Sequence, residues 1–426
     1  MIQHHRHRQR QQGAAALFVI TMLCFVMVLA VALAQRNVLV EEQRSANELR
    51  SRTAFAAADS GLEWALARIN DPTAITSLCL PSGDPSAPSF RARMLRIDTA
   101  SGNVVPTTWD DAGTATPLKA ACVHGPDGWT CSCPASGRPV LPEAEGGPLA
   151  PAFFVELAAS DHPGVIRVIA TGCTKAGAAD GCAAATAAGR EATTRVEIAW
   201  ALLPALRSAP AAALTVGGDL DVGGAAFGVH NVDAQSGGLV LRTGGRIVAS
   251  GLRIDVPLGA TLGAAIASGD ESLRALAGGR LFARHFGMAR AKWSAQPAVR
   301  HIACEADCTA AVAAALAAGA RLLAVDGDLA LSGPIALGSA DDPIALVAAG
   351  AMSLAGDVAI HGVVHADSLT WNDAAPGRAF VRGAVVVDGD VRGNASADII
   401  RDADIVERLM RSSGSFVRVN GSWKDF

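Results

Sequence analysis

Gly13-Ala-Ala-Ala-Leu-Phe-Val-Ile-Thr-Met-Leu-Cys-Phe-Val-Met-Val-Leu-Ala-Val-Ala-Leu-Ala34 decides how this chain is read. After Gly13 comes an apolar run, Ala14 to Ala34, of 21 residues without a charge. At about 1.5 Å per residue the run spans roughly 30 Å, the hydrocarbon thickness of a bilayer. Neither Pro nor Gly interrupts the passage into the charged segment that begins at Gln35. A cleavable secretory signal places its small-residue cut after a shorter apolar core. Here Gly13 precedes the run, so a cut there leaves the apolar stretch on the mature chain. Arg6, Arg8 and Arg10 ahead of it predict a cytoplasmic start, with everything beyond Gln35 in the periplasm.

The same element continues as an amphipathic helix. Glu41, Arg44, Glu48 and Arg52 stand at i, i+3 and i+4 spacings that support a helix with its own ion pairs. Phe55, Ala58, Leu62, Leu66 and Ile69 then form an apolar stripe that should dock on a globular unit. Asp71-Pro72 ends the pattern. The predicted helix, 14–70 with 14–34 in the membrane, is about 85 Å long.

These residues carry a resemblance. Arg10-Gln-Gln-Gly-Ala-Ala-Ala-Leu17, Glu48-Leu-Arg50 and Ala56-Ala-Ala-Asp-Ser-Gly-Leu62 are similar to the N-terminus of PilX-type minor pilins. The closing run from Gly414 to Phe426 resembles the C-terminus of long members of that family. The resemblance implies a leader, 1–13, removed by a prepilin peptidase between Gly13 and Ala14, with Ala14 then N-methylated. It also implies other minor pilins, the major pilin, an inner-membrane assembly platform and a tip adhesin as partners. Typical major pilins carry Glu at the fifth mature position, where this chain has Phe18. In a filament core that carboxylate offsets a buried amino terminus, so its loss argues against a repeating shaft subunit. An unprocessed signal-anchor protein is the plainer alternative.

Composition narrows the rest. At 426 residues the chain has room for more than one domain, and a formal net charge of −4 leaves no basic surplus for nucleic acid. Tyr is absent and aromatics make up 4%, so the core must be built from Ala, Val, Leu and Ile, which suits closely stacked strands. Cys24 lies in the apolar run as a small hydrophobe. The other cysteines are even in number, which fits disulfides in an oxidising compartment. Cys173–Cys182 and Cys304–Cys308 are the favoured local pairs. Cys79, Cys122, Cys131 and Cys133 are left to pair among themselves, with Cys131 and Cys133 too close for an easy mutual bridge.

The expected fold class is α+β. The long helix lies on a pilin-like antiparallel sheet (71–206), with strands at Ala152–Ala158, Gly164–Gly172 and Thr193–Ala201. A mainly-β, β-helix-like domain (207–426) follows. Its signature is short apolar runs punctuated by Gly-Asp or Gly-Gly, as in Leu214–Val222 and Leu323–Leu331. Helical insertions are expected at Ser268–Ala277 and Thr309–Ala318, and Asp402–Arg411 is expected to cap an open end of the stack.

The same residues offer a few candidates for chemistry. His361 and His365 would lie roughly 13 Å apart along one strand, too far to share a metal. His301 with Cys304 and Cys308 has zinc-like residue types, but a periplasmic location favours the disulfide. Asp326, Asp328, Asp388 and Asp390 flank glycine corners and read as turn carboxylates before calcium ligands. No nucleophile elbow, phosphate loop or HExxH occurs. The expectation is therefore no enzyme, no metal and no cofactor, in a minor pilin that primes or caps a type IV pilus and is displayed at its tip. A K-type pseudopilin of a type II secretion system, or a membrane-anchored β-helix that binds or modifies glycan, are the alternatives.

Overall fold

The computed structural model describes residues 12–84, 86–141, 150–177, 181–182, 191–276 and 278–425. The fold is α+β: one long helix on an antiparallel sheet, joined to a parallel β-solenoid.

Helix α1 runs without a break from Gln12 to Asn70. Its C-terminal part lies on a seven-stranded antiparallel sheet. The order from one edge is Gly414–Arg418, Thr193–Pro204, Val165–Cys173, Ala152–Ala159, Lys119–Gly125 and Gly128–Ser132, with Lys424–Asp425 also on Thr193–Pro204. Period-2 alternation sends Phe153, Val155 and Leu157, then Ile166, Val168 and Ala170, then Val196, Ile198 and Trp200 to one face. All are buried in one core with Leu62, Ala65 and Ile69 of the helix. Leu157, Val168 and Ile198 stand opposite one another in register, as do Val155, Ala170 and Val196.

From Leu214 the chain changes rhythm, and every strand pairing described up to Arg401 is parallel. A twelve-stranded and a six-stranded sheet form the walls of a solenoid. Equivalent residues stack along its axis: Leu241, Leu214, Val385, Val364, Leu346 and Leu323 on one wall. Leu220, Val391, Leu369, Met352 and Leu329 line a second, and Val229, Ile399, Val381, Ile360 and Leu337 a third. These side chains fill one interior.

The order of rungs along that axis is not the order of the chain. The incoming rung (Leu214–Val216, Leu220–Gly223, Gly228–His230) is followed by Leu241–Thr243, Ile247–Ala249 and Arg253–Asp255, stacked outward on it. The chain then crosses to the far end at Val299–His301 and winds back through successive rungs. Its outgoing rung, ending in Val391–Gly393 and Asp398–Arg401, pairs with the incoming one on all three walls. The solenoid is thus a continuous superhelix whose chain ends meet in its interior, a circular permutation of a simple winding.

The Gly-Asp corners have a mechanical reason. Asp390 Oδ1 accepts the Asp219 N–H at 2.9 Å, Asp219 Oδ1 accepts the Arg246 N–H at 2.7 Å, and Asp328 Oδ1 accepts the Ala351 N–H at 2.8 Å. Each carboxylate occupies the space a side chain would need on the adjoining rung. A Cβ at Gly218, Gly245 or Gly350 would lie 2.2, 1.9 or 2.2 Å from that oxygen. Aspartate on one rung therefore requires glycine on the next.

Several expectations need correction. The boundary at 206 is crossed, because Gly414–Arg418 returns to pair with Thr193–Pro204 and belongs to the first sheet. The expected helix Ser268–Ala277 shrinks to Glu271–Arg274, capped by Asp270, whose side chain accepts the Ser272 and Leu273 N–H groups. Ala277 lies outside the described residues. Arg280–Phe286 and Arg290–Ser294 add two short helices that no sequence signal had suggested. The helix Ala403–Arg411 does not close an end of the stack. It lies across the solenoid wall formed by Val358–Ala366 and Phe380–Val387, with Val406 and Leu409 buried there. Thr309–Ala317 closes an end instead, placing Val312 and Ala315 in the interior.

Candidate functional site

The candidate site is α1 itself, in two halves of opposite character. From Leu17 to Leu33 its large apolar side chains are between 46% and 69% exposed, all round the helix. The element is long and apolar enough to cross a membrane. A helix greasy on every side is stable only when lipid or other protein surrounds it. Its backbone asks nothing of that environment, because every interior N–H is bonded within the helix. Thr21 conforms, donating its hydroxyl to the Leu17 and Phe18 carbonyls at 3.0 and 2.9 Å.

Gly13 and Ala14 fall within the helical backbone, and residues 1–11, most of the expected leader, lie outside the described residues. Phe18 presents its ring outward, 69% exposed. Cys24 is an exposed thiol in the same stretch.

The polar middle carries the Glu48–Arg52 ion pair at 2.5 Å. Beyond it the helix docks. Ala54, Ala57, Ala58, Leu62, Ala65 and Ile69 are buried. The expected stripe is thus displaced at one point: Phe55 is 40% exposed and rests on the Trp423 ring, 6.3 Å between centroids. Full burial of Leu62 and Ile69 contributes about 2 kcal/mol each. The alanines contribute closeness rather than area. A Cβ on Gly172 of the sheet would lie 2.1 Å from the Ala54 carbonyl oxygen and 2.3 Å from the Ala58 nitrogen. Backbone meets backbone at that point, and glycine on the strand is what permits it.

The lower end of the helix is held by two residues the sequence reading passed over. The Asn70 side chain donates to the Phe416 carbonyl at 2.9 Å and accepts the Phe416 N–H at 2.7 Å, acting as a neighbouring strand would. Arg91 donates to the Ile69 carbonyl at 2.9 Å and the Gly414 carbonyl at 2.7 Å, and lies 5.0 Å over the Phe416 ring. Burial pushes its guanidinium down to about 10, so it stays charged. No sequence signal ties either residue to position 416.

Four disulfides are formed: Cys79–Cys133, Cys122–Cys131, Cys173–Cys182 and Cys304–Cys308. Cys122 and Cys131 face each other across the hairpin of Lys119–Gly125 and Gly128–Ser132. Arg93 braces the first bridge, donating to the Ile75, Thr76 and Cys133 carbonyls.

The polar residues weighed for chemistry are dispersed. The strand carrying His361 and His365 passes from one wall to the next, its first half stacking on Ile335–Leu337 and its second on Ile344–Ala348. His361 sits against Phe380, whereas His365 is fully buried beneath Phe282 and Phe286, with Asp388 at 3.4 Å. The two histidines do not share a face. His301 bonds Asp326 and the Ser294 carbonyl. His230 is held at both ring nitrogens, by Asp255 at 2.7 Å and Asp398 at 2.9 Å. Among the described residues, no three His, Cys, Asp or Glu side chains gather as a metal site would.

No family model matches the chain, and no curated protein matches it. Among solved structures it is similar to the crystal structure of the competence-associated pilin ComZ from Thermus thermophilus. The identity is 11%, over 88% of this chain and 97% of that one, with a TM-score of 0.21. A likeness of that size carries no weight for fold or role.

Proposed function

We propose that this chain is a minor subunit of a type IV pilus, built to assemble rather than to catalyse. One observation carries the reading: a single unbroken helix is bare and apolar over its first half and docked on a sheet over its second. The bare half suits a subunit stored in the inner membrane with its bulk in the periplasm. Once extracted, the same surface packs laterally against the helices of other minor pilins and the major pilin. Cleavage by a prepilin peptidase between Gly13 and Ala14, with methylation of Ala14, frees it for that transfer on the assembly platform.

Two features support a priming or capping position at the tip. Phe18 offers no carboxylate to a neighbour's amino terminus. The solenoid joins at the C-terminal end of α1, where a Cβ on Gly319 would lie 2.4 Å from the Pro72 carbonyl oxygen, so its bulk stands away from the apolar half. There it is available for surface contact or for holding a tip adhesin. The test is to express the chain with and without its prepilin peptidase and determine the N-terminus. Shortening to Ala14 only with the peptidase is the expected result, and an unshortened chain in both strains would overturn the proposal.

A further inference from the structure

The helix–sheet unit is not made from one stretch of chain. Strand Thr193–Pro204 has Val165–Cys173 on one edge and Gly414–Arg418 on the other. Phe416 is fully buried in the core that holds Leu62, Ile69 and Trp200. The Asn70 clamp, the Arg91 contacts, the Glu63–Arg418 ion pair and the Phe55–Trp423 contact all reach from helix α1 or its neighbour to this last segment. The docked half of α1 therefore lacks part of its support until the end of the chain is in place.

That end arrives through the solenoid. Gly414 pairs with Pro204, so the strand leaving the solenoid lies beside the strand that leads into it. Their approach is set by the junction where the incoming and outgoing rungs pair, Leu214–Val216 on Val385–Val387 and Gly228–His230 on Asp398–Ile400. With the junction open, Pro204 and Gly414 are the ends of a loop of roughly 200 residues; with it closed, the free chain between them is roughly 20. Closure probability falls as about the three-halves power of length, so a closed junction raises the local concentration of the last strand about 30-fold.

We propose that the solenoid junction governs completion of the helix–sheet unit: Gly414–Arg418 docks on Thr193–Pro204 and Asn70 when the incoming and outgoing rungs are paired, and leaves when they part. A chain with an unwound solenoid then carries a half-docked α1, and the fold couples the docking of its long helix to the integrity of its largest unit. The inference rests on strand pairing alone and stands apart from the filament reading.

Hydrogen exchange on the full chain in detergent micelles, at rising sub-denaturing urea, tests it. The expected result is that the Phe416 and Ala205 amides, bonded to the Asn70 side chain and the Ser413 carbonyl, lose protection before, or together with, the Gly217 and Val385 amides that cross the junction. Junction amides that exchange while Phe416 stays protected would overturn it. Two variants sharpen the outcome. Gly217→Val places a side chain against the Asp388 carbonyl oxygen, 2.0 Å from the new Cβ. It should lower protection at Phe416 at least about 10-fold. Asp390→Ala removes the bond to the Asp219 N–H and the exposed contact with Arg392, and should lower it about 5-fold. Protection at Phe416 that is the same in either folded variant as in the parent chain would refute the coupling.

Discussion

The helix–sheet unit and the solenoid bury their apolar surface by different means. The first is held across the chain: strands are antiparallel, the core mixes Trp64, Phe90, Phe153 and Trp200 with aliphatics, and three of the four disulfides staple its edges and loops. The second is held along an axis: identical positions stack rung on rung, the interior is Leu, Val, Ile and Ala with few aromatics, and carboxylate-glycine corners set the spacing. Covalent closure suits a sheet with many loops to fix. Repetition suits a stack in which each rung is the template for the next. The contrast teaches that damage should stay local in one unit and spread in the other.

The contrast can be broken most decisively at the bridges. Replacing Cys79 and Cys133 by Ser opens a link across 54 residues and should cost the helix–sheet unit about 4 kcal/mol. Differential scanning calorimetry should then show that unit's transition falling while the solenoid's stays; a common shift would mean that the two melt as one. Gly172→Val should cost about 3 kcal/mol by prising α1 from its strand. Its mark is faster hydrogen exchange over residues 54–69 with solenoid amides unmoved.

Acid should act on the solenoid side. His285 lies under the helical cover with Ser208, Arg284, His365 and Arg242 around it, and burial depresses it from 6.5 to about 4. The folded state thus disfavours the proton that the unfolded state takes up. The associated stability is complete above pH 6.5 and falls as pH drops from 6.5 toward 4, by about 3 kcal/mol at most. Thermal unfolding of His285→Asn should be flatter across that window than the parent chain. The smallest effect is expected at a corner: Asp328→Ala removes one bond to the Ala351 N–H and should cost about 1 kcal/mol, read by urea titration of the solenoid. A larger loss there would show that corners, rather than stacked aliphatics, carry the solenoid.

Much of this was legible in the residues because it follows from local periodicity. The helix is marked by an apolar run to Ala34 and a helical pattern that no Pro interrupts before Pro72, and the strands near 152, 165 and 193 by alternation. The hairpin of Lys119–Gly125 and Gly128–Ser132 went unread although Pro126-Asp127-Gly128 is a turn signal, because its strands mix Cys, His and Thr with apolar residues. Gly-Asp corners announced a solenoid, yet nothing local states that Asp390 supports Asp219, since the two stand in different passes of the winding. The return of Phe416 to Asn70 was invisible for the same reason: its partners are set by topology, and topology is not periodic. Gly172 shows the converse case, a single glycine in a strand whose purpose appears only when a helix backbone is laid against it.

Because the solenoid's chain termini leave from a rung within the stack, it is gripped between its extremities. The one at Val299 rests on the helix–sheet unit, where the Ala298 N–H donates to the Ser415 hydroxyl at 3.0 Å, and the one beyond Arg253–Asp255 points away from it. Extra coils inserted after Asp255 would lengthen the body without moving the two strands that hold it. Such an architecture lets the reach of the displayed body vary while the mount stays constant.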